Sequence, residues 1–585
     1  MKEIPNGALS FARILQRSLE TEILEIRARI QSGTSRPPAR GAGRHWPFDS
    51  DSPFGSQPNY AVLYWVIGAL LFAASGTAQA TTFSAASPSL ADVRAAIASA
   101  ADGDTVIVPT GTAAWTSTLR ITKAITIQGE TTTDIPNGTA NDQTVIIDNL
   151  VRISGGQPFF NLTAGSGQEV RITGITFTGQ GGSQQSMPNG AIWVNTMVPF
   201  RIDHCHFTYL AHSPMVAIYG ANLGVADHNV FDHFTGGNFS FLVDWNTQNG
   251  DWGDGSWAQP TGFGGPNFFF IEDNYIYNDL TGQIAAGGVD GFFGGKYAFR
   301  YNRVWNAHTF GHSTGSTYPR GRGVRAKEIY NNEYHFTSTA SLSGTTGGPL
   351  LAHDNRFYGT LVTGWGLQVY RACWSYGPPF NGANGTSPWD INDAHGLYES
   401  GTATSASNTA ITDTSKNWTA DQWAGYSVKR PSDGATALII SNTSNTLQIA
   451  SWLNENWSAG NTYEIRKVLI ILDQPGRGKG DLIDVSHPAW PNQQSEPCYS
   501  WNNIHYPGGE HLNLQRGSGS QTIRQGRDYF NDTPMPGYTP YVYPHPLTTS
   551  QPRREPTASS PQQAQKKKKK WGKAKKLPAS EMAQP

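Results

Sequence analysis

Residues 269–276 read FFIEDNYI, and this phrase of β-forming residues, a polar pair and an apolar residue decides the fold of the 585-residue chain. Variants recur as FRIDHCHF (200–207), GVADHNVF (224–231), AFRYNRVW (298–305), KEIYNNEY (327–334) and LAHDNRFY (351–358). The equivalent positions, at intervals of 24, 45, 28, 30 and 23 residues, are Cys205, Asn229, Asn274, Asn302, Asn332 and Asn355. A β-rich repeat of this length predicts a parallel β-helix, whose coils bury their apolar faces by stacking. We expect the Asn side chains to favour left-handed turns and to hydrogen-bond from coil to coil.

The predicted fold class is all-β: a right-handed parallel β-helix solenoid with an N-terminal capping helix and a small inserted β module. The helix is indicated by Ser89 followed by apolar residues at helical spacing, Leu90, Val93 and Ile97. The module is indicated by a change to Ser-, Thr- and Asn-rich strands. The expected segments are a leader or mis-assigned start (1–58), a signal peptide (59–80), the β-helix (81–398), the module (399–466), the final coils with a C-terminal cap (467–550) and a disordered basic tail (551–585).

Export is predicted from the apolar run at residues 60–72, which Ala78, Gln79 and Ala80 follow as a small-residue cleavage site. The run is too short to favour a stable membrane span, and the alternative is a buried or anchoring apolar helix. We therefore expect a secreted protein, extracellular, periplasmic or at the cell surface.

Three cysteines are an odd number for an exported protein. Cys205 occupies an Asn position and is expected to be a core thiol, whereas Cys373 and Cys498 are open to pairing.

The charge distribution limits the class of partner. Residues 81–550 contain 25 basic and 36 acidic residues, a net charge of −11. This balance argues against nucleic acid as a partner and is compatible with a hard cation such as Ca²⁺. A monomer that binds polysaccharide is expected.

A long loop at residues 236–266 is rich in Gly, Trp and Asp. Loops that project from a solenoid often form the wall of a binding cleft. Trp252 and Trp257 are therefore candidates for stacking on sugar rings, and the alternative is a loop that packs its own aromatic side chains.

The chain resembles the pectate-lyase-like superfamily of right-handed parallel β-helices over residues 81–398 and 468–547. The resemblance is carried by the helix-then-coil start at residues 89–109, by ITKAITIQGE (121–130) and by the Asn positions. In detail it is similar to uncharacterised exported bacterial β-helix proteins, through GGKYAFRYN (294–302), GRGVRAKEIYNN (321–332) and LDQPGRGKGDL (472–482).

Two fragments are similar to those of true pectate lyases. IDHC at 202–205 is similar to a segment that is structural in that family. YPRGR at 318–322 resembles the family's R-x-P-x-x-R segment, in which the first Arg abstracts the proton. Thr317 occupies that position here, so only Arg322 carries over, as a candidate for substrate binding or catalysis.

If the coils stack with their Asn positions aligned, the residues two positions earlier form a second column. Its members are Asp203, Asp227, Glu272, Arg300, Tyr330 and His353. Three successive carboxylates, Asp203, Asp227 and Glu272, are the predicted Ca²⁺ ligands. Arg300 beside them is a candidate base for β-elimination, because a bound cation acidifies the proton α to a uronate. The alternative is a turn-edge column in which Glu272 and Arg300 pair.

A cationic group follows the Arg300 coil. His308 and His312 precede Arg320, Arg322 and Arg325, a set that suits an anionic polysaccharide. His312 is added to the catalytic candidates, and Arg320 and Arg325 to the substrate-binding ones. The alternative is a loop held by local hydrogen bonds. The spacing of His204, His206, His228 and His233 does not favour a transition-metal site.

The leading functional hypothesis is a Ca²⁺-assisted lyase of an acidic, uronate-containing polysaccharide. Two alternatives stay open. One is a glycoside hydrolase that uses the carboxylates of Asp227, Glu272 and Asp290. The other is a non-catalytic carbohydrate-binding or adhesive surface protein.

Overall fold

The computed structural model describes residues 80–549 with internal gaps. The gaps are residues 152–156, 180–189, 211–213, 221–222, 235–238, 245–259, 280–287, 313–322, 342–343, 346, 369–396, 425, 434, 452–455, 469–473, 479–493, 517–522 and 524. The expected leader, signal peptide and basic tail lie outside the described residues and stay predictions.

Three β-sheets run along the length of the solenoid, and each coil contributes one strand to two or three of them. Sheet A has 12 parallel strands: Thr82–Ser84, Thr105–Ile107, Thr126–Gln128, Val170–Thr173, Phe200–Asp203, Gly224–Asp227, Phe269–Glu272, Lys296–Arg300, Ala326–Tyr330, Leu350–His353, Cys498–Trp501 and Tyr529–Asn531. Sheet B has 11: Gly111–Trp115, Thr144–Asp148, Thr176–Thr178, His206–Thr208, Val230–Asp232, Tyr275–Tyr277, Arg303–Trp305, Glu333–Ser341, Arg356–Thr363, Ile504–Tyr506 and, antiparallel at its end, Glu510–His511. Sheet C has six: Leu119–Ile121, Phe160–Leu162, Ile192–Val194, Val216–Tyr219, Phe241–Asp244 and Val289–Phe292.

The core is formed because side chains along each strand point alternately into and out of the solenoid. In Phe200–Asp203, Phe200 and Ile202 point into the solenoid, where they join one continuous apolar cluster, and Arg201 and Asp203 point outward. The register is in phase from coil to coil, so that Ile202 lies beside Ile172 and Ala226. These features confirm the predicted parallel β-helix.

The Asn positions form a continuous buried ladder between sheets A and B. The Nδ2 of Asn274 donates to Oδ1 of Asn302 at 3.0 Å, and the Nδ2 of Asn302 donates to Oδ1 of Asn332 at 3.0 Å. The same bond continues through Asn355 to Asn503 at 2.8 Å. The predicted coil-to-coil hydrogen bonding is thereby confirmed.

The expectation that Asn itself takes the left-handed turn was wrong. The positive φ angles belong to the residue before each Asn position, for example His228 (55°), Asp273 (54°) and Tyr301 (57°). That residue turns the chain from sheet A to sheet B. The Asn amide then bonds the backbone that the turn leaves unpaired, as when the backbone N–H of Asn274 donates to Asn302 Oδ1 at 3.0 Å.

The two predicted accessory elements are present. The helix Leu90–Ser99 starts at Ser89, whose Oγ accepts a hydrogen bond from the Asp92 backbone N–H, and it buries Val93, Ala96 and Ile97 at the end of the solenoid. The module is a separate seven-stranded antiparallel sheet with its own core. Its strands are Glu399–Thr402, Ser405–Ser407, Ala410–Thr412, Tyr426–Lys429, Thr436–Asn442, Thr446–Ser451 and Thr462–Val468.

Outside these sheets, the described residues form three short two-stranded sheets: Thr132–Asp134 with Thr139–Asn141, Gly366–Leu367 with Gln515–Arg516, and Arg477–Gly478 with Gln494–Ser495. The expected core position of Cys205 is confirmed, and both Cys205 and Cys498 are buried free thiols. Cys498 therefore has no disulfide partner among the described residues, and its candidate partner Cys373 lies outside them. Within the described part of the chain no helix is long and apolar enough to cross a membrane.

The C-terminal segment, residues 533–549, lies across the outer face of sheet A and ends in the short helix Pro546–Thr549. Tyr541 and Leu547 pack against a second apolar cluster on that face, which includes Val225, Phe270 and Ala298. This outer face is therefore covered by the protein's own chain.

Candidate functional site

The predicted column two residues before the Asn ladder exists on the outer face of sheet A. Its six members are register partners in adjacent strands: Asp203, Asp227, Glu272, Arg300, Tyr330 and His353. Sequence spacing thus placed these residues in one row. It gave no indication that the row is buried beneath the C-terminal segment.

Each of the three predicted calcium ligands is bonded to an arginine. Asp203 accepts from Arg171 Nε at 2.7 Å and Nη2 at 2.6 Å. Two equivalent bonds join Asp227 to Arg201, and the side chains of Asp203 and Asp227 have no exposed surface. A Ca²⁺ ion at these positions would compete with guanidinium groups that already neutralise the carboxylates.

Arg300 is a structural anchor for the C-terminal segment. Its side chain is fully buried, and its Nε donates to Glu272 Oε2 at 2.7 Å. Nη1 donates to the carbonyl of Tyr541 at 2.8 Å, and Nη2 to that of Val542 at 3.0 Å. This is the arrangement expected from the alternative interpretation of the column, in which Glu272 and Arg300 form an ion pair. A guanidinium without exposed surface cannot reach a polysaccharide in this conformation.

The other predicted residues are dispersed. Arg325 is buried and forms a two-fold ion pair with Glu496, at 2.6 and 3.0 Å. The candidates Arg320, Arg322, Trp252 and Trp257 lie outside the described residues. Among the residues that are described, no group of three His, Cys, Asp or Glu side chains is placed to hold a metal ion.

Sheet C brings together two residues that the sequence put forward for different reasons. His312 Nδ1 lies 2.7 Å from Asp290 Oδ1, and the imidazole stacks on Phe292 with ring centroids 3.8 Å apart. Residues 308–312 continue sheet C by one coil, since Val289 and Thr309 are bridge partners and the His312 N–H donates to the Gly291 carbonyl. His308, in the same stretch, is buried, and burial lowers its pKa to about 4. It therefore adds no charge at neutral pH.

Asp244 is the most unusual titratable group on this face. It ends the strand Phe241–Asp244 one coil before Asp290, and only 5% of its surface is exposed. Its Oδ1 is buried and has no hydrogen-bond partner among the described residues. Burial, together with the negative charge of Asp290, raises the pKa of Asp244 well above its ordinary value.

The two carboxylates point out of the solenoid on adjacent strands. Leu242 is the register partner of Asp290, so Asp244 is displaced from Asp290 by one strand and two residues. Strand spacing and rise give about 8 Å between the two Cα atoms. The two carboxyl groups thus lie on one outward face, and burial disfavours the ionised form of Asp244.

Two aromatic side chains extend the same face. Trp193 and Tyr219 are half-buried and meet edge to face, with ring centroids 5.1 Å apart and an interplanar angle of 72°. Tyr219 is the register partner of Asp244. Burial and the proximity of Asp244 raise the pKa of the Tyr219 hydroxyl, which therefore stays protonated. Trp193, Tyr219, Asp244, Asp290, Phe292 and His312 are hereafter the sheet C site.

A second cluster of titratable groups lies on the outer face of sheet B. His206 is held between Asp142, 2.8 Å from Nδ1, and Asp232, 3.1 Å from Nε2. Burial alone would lower the pKa of His206, but these two hydrogen bonds outweigh it and raise the pKa to about 9. The cluster ties the segment around Asp142 to the solenoid and has the character of a structural ion pair.

Sequence reasoning found Asp290 and His312 but missed the other four members of the sheet C site. Asp244 was visible only as part of an acidic, aromatic loop, and Trp193 and Tyr219 belong to strands without the Asn phrase. The signal that was present is the alternation in FLVD (241–244) and VDGF (289–292), which turns both carboxylates outward.

Comparisons with known proteins give low-level similarity only. Neither protein-family models nor curated proteins match the chain. Among solved structures, "ORF18" of Geobacillus virus E2 matches with a TM-score of 0.23 at 12% identity, over 70% of this chain and 82% of that one. An alginate lyase from a Paenibacillus species matches with a TM-score of 0.20 at 14% identity, over 48% of this chain and 87% of that one. A tailspike protein of E. coli bacteriophage HK620, in complex with a pentasaccharide, gives 0.24 at 11%, over 71% and 91%. Values this low say nothing about the activity of this chain, and the assignment to a parallel β-helix follows from the sheets themselves.

Proposed function

We propose that the protein cleaves a polysaccharide by general acid–base hydrolysis at the sheet C site. The observation that carries the proposal is the pair Asp244 and Asp290 on adjacent strands. Both carboxyl groups are buried, Oδ1 of Asp244 has no hydrogen-bond partner among the described residues, and Asp290 is bonded to His312. A carboxyl group whose burial favours the protonated form, next to a second carboxyl group, can supply the acid and the base of one reaction. The flanking rings of Trp193 and Tyr219 favour a sugar as the ligand.

Asp244 is the general acid. Burial and the negative charge of Asp290 raise its pKa well above the ordinary value and so favour the protonated carboxyl, which can donate a proton to the glycosidic oxygen as the bond to the anomeric carbon breaks. Desolvation keeps this proton in place before the substrate arrives.

Asp290 is the general base. It takes a proton from a water molecule, whose hydroxide then attacks the anomeric carbon, while His312 orients its carboxylate from 2.7 Å. One water is consumed: its hydroxyl ends on the new reducing end, and the proton lost by Asp244 is regained through solvent. Inverting enzymes keep their two carboxyl groups roughly 6.5–9.5 Å apart, so that this water fits between them. The spacing of the two Cα atoms, about 8 Å, is compatible with such a water.

The lyase hypothesis has less support in the described residues. Its proposed base Arg300 is buried in bonds to Glu272 and to the C-terminal segment. A role for Arg322 stays a prediction, as do calcium binding at Asp203, Asp227 and Glu272, an acidic substrate, secretion and the monomeric state.

The test is a screen of the full chain against neutral and uronate-containing polysaccharides, with and without EDTA. Release of reducing ends without ultraviolet absorbance is expected for hydrolysis, and D244N should lower the rate by about 10²–10⁴-fold. D134N, which changes an exposed aspartate on the strand pair 132–141, is the matched control and should leave the rate unchanged.

Two outcomes would contradict the proposal. An ultraviolet-absorbing, unsaturated product that D244N still generates would establish a lyase elsewhere on the protein, and its loss with EDTA would support the calcium prediction. Binding of a polysaccharide without any turnover would establish a binding protein.

A further inference from the structure

We infer that Trp193 and Tyr219 form a subsite for a sugar near the cleaved bond. This inference rests on the proposed hydrolysis at Asp244 and Asp290. It adds two residues that determine substrate affinity.

The strand register determines the direction in which a bound sugar chain runs. The strands of Trp193, Tyr219, Asp244 and Asp290 are consecutive in sheet C. Each step is about 4.8 Å, so Trp193 lies two coils, or about 10 Å, from the strand of Asp244. A chain that contacts the aromatic pair and also reaches both carboxylates must therefore cross the strands rather than follow one of them.

The two rings are shaped for a sugar. Trp193 and Tyr219 meet edge to face at 72° on the outer face, and the faces of aromatic rings attract the C–H surfaces of a pyranose. The protonated Tyr219 hydroxyl adds a polar group next to Asp244. An apolar wall with a few placed polar atoms is typical of small-molecule subsites.

Trp193 is held in this position at a cost. Its indole Nε1–H is buried and has no hydrogen-bond partner among the described residues, although tryptophan in a folded protein normally satisfies this donor. Trp423 and Trp457 in the module core share this feature, so it supports the subsite only together with the position of Trp193 beside Tyr219 on the outer face. Packing alone would favour Phe or Leu, which bring no polar atom.

Sheet B offers a matched control. Trp305 is also half-buried on an outer face, but it stacks flat on His335 with centroids 4.4 Å apart and an angle of 7°. Its ring is therefore occupied by a neighbour. W305A removes the same side chain from a different face of the solenoid.

The experiment measures KM and kcat for wild type, W193A, W193F and W305A on the polysaccharide found in the screen and on its oligosaccharides of increasing length. W193A should raise KM about tenfold or more on the polymer, with kcat within about twofold, because the ring acts in binding. W193F should recover most of the affinity. For oligosaccharides too short to reach Trp193, wild type and W193A should not differ.

The inference is overturned if W193A leaves KM unchanged, or if W305A raises it equally. If D244N is inactive and W193A behaves as wild type, only the subsite fails, whereas full activity in D244N removes the proposed function itself. If no polysaccharide is cleaved, affinity electrophoresis in gels that contain each polysaccharide decides: retardation of wild type and not of W193A supports the subsite, and equal or absent retardation overturns it. Matching thermal unfolding of each variant excludes misfolding.

Discussion

Replacing Asn302 by alanine should destabilise the middle of the solenoid far more than loss of a surface amide does. Asn302 Oδ1 accepts hydrogen bonds from the backbone N–H and the Nδ2 of Asn274, both at 3.0 Å. Its Nδ2 donates to the carbonyl of Ile271 at 2.8 Å. In N302A the Asn274 N–H and the Ile271 carbonyl lose these bonds in a site that water does not reach. At about 1–3 kcal/mol for each unsatisfied group, the cost is roughly 2–6 kcal/mol.

The measurement is urea unfolding of the full chain, together with hydrogen exchange of the Asn274 amide. N195A is the control, because Asn195 is exposed on the same solenoid, and its effect should stay within about 0.5 kcal/mol. We expect N302A to lower the unfolding midpoint and to speed exchange at Asn274, since neighbouring coils stabilise one another. An N302A midpoint equal to that of N195A, with unchanged exchange, would refute the view that the ladder stabilises the stack.

Three further predictions concern buried groups. The pKa of His206 is raised from its ordinary 6.5 to about 9. Its contribution to the stability of the fold is therefore complete below pH 6.5 and is lost as the pH rises to about 9. The melting temperature of wild type should approach that of H206Q over this range, and a constant difference would contradict the ion-pair role. Cys205 and Cys498 should resist iodoacetamide at pH 8 in the native state and react with it in guanidinium. Burial raises the pKa of both thiols and keeps the reagent from reaching them. Labelling of either cysteine in the native state would show that it is exposed. R300M should make residues 533–549 sensitive to protease, whereas R356A, a change at an exposed arginine, should not; equal cleavage would deny Arg300 its anchoring role.

The sequence alone determined the coil architecture. The Asn phrase repeats once per coil, and a period-2 pattern that must stay in phase between stacked strands allows only one register. Asp203, Asp227, Glu272 and Arg300 therefore fell into one row, as expected. The helix at Leu90 and the inserted module were also recognisable, because capping and composition are local properties.

The sequence did not determine which row is accessible. The C-terminal segment that covers the sheet A column is distant in sequence, as in the bond from the His545 backbone N–H to Glu272, 273 residues away, and no local pattern encodes such a contact. The two carboxylates of the sheet C site come from strands that begin at Phe241 and Val289, one full coil apart in the sequence. Only the tertiary structure buries Asp244 beside Asp290 and so changes the chemistry of an ordinary carboxyl group. Spacing specifies a column, whereas desolvation and long-range covering decide whether that column is a structural ion-pair network or a reactive site.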